Sequence, residues 1–201
     1  MRVISGTAGG IKLDVGPNRD VRPTIDRVRE ATFNALFSLN VIDGAHVLDL
    51  FGGTGALGIE ALSRGAAHAV FVEHHRATAE ILRANLERCR LAEQATVITS
   101  DADAWLSRLD LTPGSTDTFD LALLDPPYAF EEWPTLLGKI PATTVVVESS
   151  RPVELGDDFE VLRQRKYGST VVTIAMNTAM KTIETGGDVA GQPATSPEGE
   201  Q

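Results

Sequence analysis

The chain has 201 residues, 42% hydrophobic and 23% charged, with a formal net charge of −10, so one compact domain with a small appendage is the starting expectation. It is long enough to bury a core without staples. Its single cysteine, Cys89, excludes a disulfide framework or a cysteine-rich zinc site and fits a reducing, cytoplasmic setting. No apolar run approaches a membrane span and the N-terminus moves at once into small and polar residues, so neither membrane insertion nor export is expected.

Taken in chain order, Met1–Ile4 and Gly10–Leu13 read as short strands, and Arg22-Pro23-Thr24 leads into a helix. Thr24 suits the N-cap and Asp26 the first turn, while Ile25, Val28, Thr32, Ala35, Leu36 and Leu39 recur at helical spacing. Residues 1–40 are therefore read as an N-terminal extension packed on the core. This extension carries six basic and four acidic side chains, against −12 for the remainder of the chain. An acidic body repels phosphates at long range, so any nucleic acid would enter at this locally positive end.

Residues 41–181 form the main domain. Apolar, β-branched runs at His46–Leu50, Ala69–Glu73, Thr96–Ser100, Phe119–Leu124 and Thr144–Glu148 alternate with helix-like stretches at Gly55–Arg64, Ala77–Arg90, Ala102–Leu109 and Glu131–Gly138. Such alternation predicts an α/β fold, a doubly wound Rossmann-like sheet that is mostly parallel and covered on both faces. Phe159–Arg165 and Ser169–Met176, hinged at Tyr167-Gly168, complete seven strands as a terminal pair that includes one antiparallel member. Residues 182–201 are acidic, rich in glycine and proline and free of aromatics, a composition that predicts a disordered tail.

The first strand runs into Asp49-Leu50-Phe51-Gly52-Gly53-Thr54-Gly55-Ala56-Leu57-Gly58. Glycines at 52, 53 and 55 remove Cβ atoms that would hold a ligand off the backbone, and the following helix offers free N–H groups. Gly53, Gly55 and Gly58 also satisfy G-x-G-x-x-G with Glu73 twenty residues beyond Gly53, so a dinucleotide such as NAD competes for this turn. Two features favour S-adenosylmethionine. Asp49 precedes the glycines, where an anion opposes a pyrophosphate but suits an ammonium. Asp101, just past the third strand, offers an acceptor for an adenine amine, although the same residue also suits a helix cap. Glu73 would take ribose hydroxyls with either ligand.

At the end of the fourth strand lies Leu124-Asp125-Pro126-Pro127-Tyr128. Two prolines stiffen this turn and delete two N–H donors, leaving acceptors only. Asp125 and the Pro126 carbonyl then accept both hydrogens of a planar amino group, while Tyr128 stacks on its ring. His74, His75 and Cys89 do not complete a metal-ligand pattern, so no metal is expected. There is no G-x-S-x-G elbow for a serine hydrolase, and no cysteine in the catalytic turn for cytosine C5 chemistry.

The glycine run followed by DPPY resembles the class I S-adenosylmethionine-dependent amino-methyltransferases. The segment Arg22-Pro23-Thr24-Ile25-Asp26-Arg27-Val28-Arg29-Glu30 is similar to the RPTxDRVRE segment of the bacterial 16S ribosomal RNA guanine-N2 methyltransferases of the RsmD type, and the likeness covers about residues 1–176. One departure is Gly9-Gly10, where that family carries Arg-Gly. The resemblance implies that Asp49, Phe51, Gly52, Gly53, Gly55, Leu57, Glu73, His74, Asp101 and Ala102 lie at the cofactor and that Asp125, Pro126, Pro127 and Tyr128 hold the guanine amine. It also implies that Arg22, Arg27 and Arg29 meet the RNA and that the partner is ribosomal RNA, while the charge distribution itself offers Arg163, Arg165 and Lys166 as a second basic patch and, the body being acidic, points to an assembled or partly assembled small ribosomal subunit. A DNA or protein amino-methyltransferase, an NAD-dependent dehydrogenase and a non-catalytic RNA-binding assembly factor remain as alternatives at this stage.

Overall fold

Each β-branched run becomes a strand of one sheet: β1 (His46–Asp49), β2 (His68–Glu73), β3 (Ala95–Thr99), β4 (Phe119–Leu124), β5 (Ala142–Ser149), β6 (Phe159–Tyr167) and β7 (Thr170–Asn177). The computed structural model describes residues 1–16, 23–112, 115–127 and 129–180; Arg22, Tyr128 and the expected tail at 182–201 lie outside the described residues. The sheet order is β3-β2-β1-β4-β5-β7-β6. The first five strands pair in parallel and β7 is antiparallel to both β5 and β6, so the expected doubly wound sheet and its one antiparallel member are both present. From β1 the chain winds outward through β2 and β3 and then returns to place β4 on the other side. The crevice between the carboxyl ends of β1 and β4 is thus the switch point where such sheets hold ligands.

Helices α1 (Pro23–Ser38), α2 (Ala56–Ser63) and α3 (Arg76–Cys89) cover one face; α4 (Ala102–Leu106) and α5 (Trp133–Leu137) cover the other. The first face packs Phe33, Leu36, Ile59, Phe71 and Leu82 into one buried cluster, and the second packs Leu48, Trp105, Leu106, Trp133 and Leu136. Among the described residues no helix is long and apolar enough to cross a membrane.

Three helix boundaries depart from expectation. α1 begins at Pro23, a residue suited to the first helical position, so Thr24 is inside the helix rather than at its cap. α4 stops at Leu106, and the Ser107 hydroxyl donates to the Asp103 carbonyl at 2.8 Å, a local bond that competes with continuing the helix. α5 is confined to Trp133–Leu137 because Pro134, which lacks an N–H, fits only the first turn.

Residues 1–13 fold back on themselves through an Arg2–Lys12 bridge, and Val3, Ala8 and Leu13 enter the same buried cluster as α1 and α2. The extension is therefore continuous with the core. Glu60 on α2, with no solvent exposure, explains why the chain path is fixed here: its carboxylate accepts from the Ile4 N–H at 2.7 Å, the Ser5 N–H at 3.1 Å and the Arg64 Nε at 2.6 Å. Arg29 of α1 completes the group, its Nε 3.9 Å from Glu60 and its Nη2 donating to the Arg2 carbonyl. Gly6 is required beside this junction: its φ of +85° is left-handed, and a Cβ there would lie 1.7 Å from the Ser63 carbonyl oxygen. Replacing Glu60 with alanine would strand two backbone donors and a buried guanidinium. Glu60→Ala is expected to lose about 3–5 kcal/mol, read as a shifted urea midpoint, whereas the exposed-pair change Glu80→Ala should move it by less than about 1 kcal/mol.

Candidate functional site

Side chains alternate along a strand, which assigns the strand ends to faces. Val47, Phe71, Leu123 and Val146 belong to the α1–α2 face, while Leu48, Val72, Leu124 and Val147 belong to the other. Asp49, Glu73, Asp125 and Glu148 each come next at the carboxyl end of β1, β2, β4 and β5, so four adjacent strands deliver four carboxylates to one edge on the α1–α2 side. Their proximity is visible in their titration: Asp125 and Glu73 both act on Asp49, and Asp125 and Asp49 both act on Glu148.

The glycine loop closes over this edge through backbone bonds. Leu50 N–H reaches the Leu123 carbonyl at 3.1 Å, Gly52 N–H the Val72 carbonyl at 2.9 Å, and Gly55 N–H the Gly52 carbonyl at 2.7 Å. Gly53, with a φ of +53°, donates its N–H to Glu73 Oε2 at 2.9 Å, and His75 N–H donates to Glu73 Oε1 at 2.7 Å. Asn85 on α3 fixes the loop from beneath, donating to the Thr54 carbonyl at 2.9 Å and to the Asp14 carbonyl at 2.8 Å.

Asp49 is 2% exposed and accepts one backbone bond, from Gly58 N–H at 2.9 Å. Burial pushes its carboxyl up to about 7, the Gly58 bond opposes that rise, and Asp125 and Glu73 add to it. Among the described residues, none of the groups acting on it is basic. A buried carboxylate in this state gains most from a ligand that brings its own cation.

A cleft of about 170 Å³ opens beside this row, lined by Pro126, Pro127, Phe130, Trp133 and Glu148 among others. Phe130 joins the cleft to the glycine loop: it meets Phe51 edge-on at 5.7 Å and Trp133 at 5.0 Å. Asp125 is exposed and immediately precedes Pro126, which is buried in the cleft wall.

A family model described as conserved hypothetical protein 95 matches residues 1–176. The chain belongs to the RsmD family of class I methyltransferases. It is 36% identical over 184 residues to YlbH of Bacillus subtilis, provisionally named an rRNA methyltransferase, with 87% of this chain and 97% of that relative aligned. It is 42% identical over 128 residues to ribosomal RNA small subunit methyltransferase D of Escherichia coli, spanning 64% of this chain and 60% of that one. Among solved structures, YhhF of Escherichia coli, provisionally named a methyltransferase, superposes with a TM-score of 0.74 at 32% identity over 88% of this chain and 97% of its own.

S-adenosylmethionine, the cofactor of this family, fits what the RsmD-family site presents: an uncompensated buried carboxylate at Asp49 for the ammonium and carboxylates at Glu73 and Asp101 for ribose and adenine donors. The dinucleotide alternative is set aside by the family and its cofactor, not by Gly58, because close helix-to-sheet packing at the third glycine is shared with dinucleotide sites. A Cβ on Gly58 would lie 2.2 Å from the Phe71 ring and 3.1 Å from Asp49 Oδ2, so the third glycine of G-x-G-x-x-G serves helix-to-sheet packing and the bond to Asp49.

The expected site residues divide. Asp49, Phe51, Gly53, Glu73, Asp125 and Pro126 meet at one edge, and Gly52 and Gly55 lie in the loop that closes over it. A Cβ on Gly52 would make only an ordinary contact with Phe71 at 3.4 Å, while Gly55 takes a left-handed φ of +92° and a Cβ there would lie 2.2 Å from Leu82. Leu57 is buried in the core beneath α2. His74 is exposed against His75, with ring centroids 4.8 Å apart. Asp101 does cap α4, accepting from Ala104 N–H at 3.0 Å, and Ala102 opens that helix. Arg27 is exposed, but Arg29 is 2% exposed and committed to Arg2, Asp26 and Glu60, which removes it from any RNA-facing surface. Glu148, Phe130 and Asn85 were not anticipated; of these only Glu148 carried a signal, an acid ending a buried strand as at Asp49 and Glu73.

Because the folded pKa of Asp49 lies above its unfolded value, the native state holds this proton more tightly, and stability falls as pH rises from about 4 toward 7. Asp49→Asn keeps an oxygen for Gly58 and removes the buried charge. It should raise apo-protein stability at pH 8 by about 1–2 kcal/mol in urea unfolding, with the gain shrinking toward pH 5, while calorimetry shows cofactor affinity reduced at least tenfold.

Proposed function

We propose that this protein transfers a methyl group from S-adenosylmethionine to the exocyclic N2 amine of one guanine in small-subunit ribosomal RNA. The observation that carries this reading is the acceptor-only turn at Asp125-Pro126-Pro127, set at the switch-point edge next to Asp49 and walled by Phe130 and Trp133.

Bound S-adenosylmethionine supplies an electrophilic methyl carbon. Asp49 and Glu73 anchor the ligand from the strand ends, and the Phe51–Phe130 pair forms the partition between ligand and base. An aromatic amine is a poor nucleophile because its lone pair is delocalised. Asp125 and the Pro126 carbonyl accept its two hydrogens, which orients the nitrogen for in-line attack and stabilises the positive charge that builds on it. Tyr128, next in the motif, is assigned to stack on the base. A paired or stacked guanine must be turned out of its helix to reach such a cleft.

RNA phosphates would meet Arg27 and the exposed Arg163, Arg165 and Lys166 of β6. With a net charge of −10, an assembled or partly assembled small subunit is the favoured substrate, since its proteins offset phosphate repulsion that bare RNA would present. The relatives named for small-subunit rRNA methylation support the substrate class.

Methyl-labelled cofactor and small-subunit particles from a strain lacking this protein should yield N2-methylguanosine at a single mapped position. Label in DNA or in protein instead would overturn the assignment, and equal rates on bare RNA would overturn the particle requirement. Asp125→Ala should cut the rate by about 10²–10³ while cofactor affinity, measured by calorimetry, stays within about threefold.

A further inference from the structure

The chemistry above leaves Glu148 unused. It is the penultimate residue of β5, one step beyond Val147, and Asp125 follows Leu124, the register partner of Val147, so the two acids leave adjacent strands at the same end of the sheet and act on one another electrostatically. It lines the same cleft as Pro126 and Pro127 and is half-buried there. Three other polar residues of that wall are engaged with one another. Glu131 is exposed at the rim and paired with Arg151 at 3.7 Å, and the Ser149 hydroxyl donates to the Arg151 carbonyl at 2.6 Å. Burial, together with Asp125 and Asp49, raises the Glu148 carboxyl to about 8, opposed by Arg29. Ionised, it presents acceptor oxygens only, and a ligand N–H donated to the carboxylate favours that form over the protonated one, which would also carry a donor.

A guanine whose N2 amine lies at Asp125 directs its N1–H along the same base edge. Adenine and 2-aminopurine carry a lone pair at N1, which an acceptor oxygen repels. We propose that Glu148 is the specificity-determining residue of the site, accepting the guanine N1–H beside the N2 amine held by Asp125 and Pro126. This rests on the guanine-N2 reading and adds to it: Asp125 recognises an amine, and Glu148 recognises which base carries it. Rejection follows from mispaired polar groups in a desolvated cleft, where a missing hydrogen is costly.

The test uses the full chain and two reconstituted small-subunit particles, identical except that the mapped position holds guanosine or 2-aminopurine, which keeps the N2 amine and lacks N1–H. The wild-type protein should methylate guanosine at least tenfold faster in kcat/KM, and Glu148→Ala should lower that ratio at least tenfold toward unity, with calorimetric cofactor affinity reporting its fold. Equal wild-type rates on the two particles overturn the proposal whether or not the variant folds. A ratio that Glu148→Ala leaves intact, both rates falling together, also overturns it by making Glu148 structural. If the wild type forms no N2-methylguanosine on the guanosine particle, the proposed function fails and this inference with it; in every other outcome the two stand or fall separately.

Discussion

Four carboxylates on one edge of a sheet repel one another, and the rest of this site is arranged around that repulsion. Backbone donors from Gly53, Gly58 and His75 satisfy Glu73 and Asp49, and the guanidinium of Arg29 is the cation acting on Glu148. The compensation is incomplete, as Asp49 at about 7 and Glu148 at about 8 record. Every group proposed to enter here is a donor or a cation: an ammonium, ribose hydroxyls, an aromatic amine, a ring N–H. The protein thus presents a surplus of acceptors along one continuous row of strands β2, β1, β4 and β5, which the proposed cofactor and base would complete.

The N-terminal segment contributes rigidity to that row. Asn85 ties residue 14 to the glycine loop, and Glu60 ties residues 4 and 5 to the helix that follows the loop. The Arg27–Arg29 motif is consequently split between two duties two residues apart. Arg27 faces solvent, while Arg29 is locked between α1 and α2 with its Nε and Nη1 lacking hydrogen-bond partners. Burial costs this cation, and the charge of Glu60 opposes that cost first, then those of Asp26 and Glu148.

What the sequence made legible was whatever local pattern dictates. Apolar, β-branched runs marked the seven strands of the sheet, and the two prolines after Leu124 marked the acceptor-only turn, because neither depends on distant residues, whereas the strands read at Met1–Ile4 and Gly10–Leu13 reduce to one isolated Arg2–Lys12 bridge. What stayed hidden depends on contacts across the chain. The burial of Arg29 follows from Glu60, thirty-one positions away. The reason for Gly55 and Gly58 lies on α3 and β2, in Leu82 and Phe71. The short α4 and α5 were overestimated because helical spacing continues past Ser107 and begins before Pro134, while hydrogen-bond competition and a missing N–H do not obey spacing. Glu148 was passed over since one acid at a strand end carries meaning only once the sheet order sets it beside Asp125.

The outermost strand has a second consequence. β6 runs nine residues along the open margin of the sheet with Val161 and Leu162 uncovered, a length and apolarity that invite another molecule's strand to add on. The register break between Val161 and Arg163 interrupts the regular ladder, and Arg163, Arg165 and Lys166 place like charges where two copies would meet edge to edge. The same cations that are proposed to meet phosphate thus stand where a second strand would add, and their mutual repulsion disfavours edge-to-edge pairing.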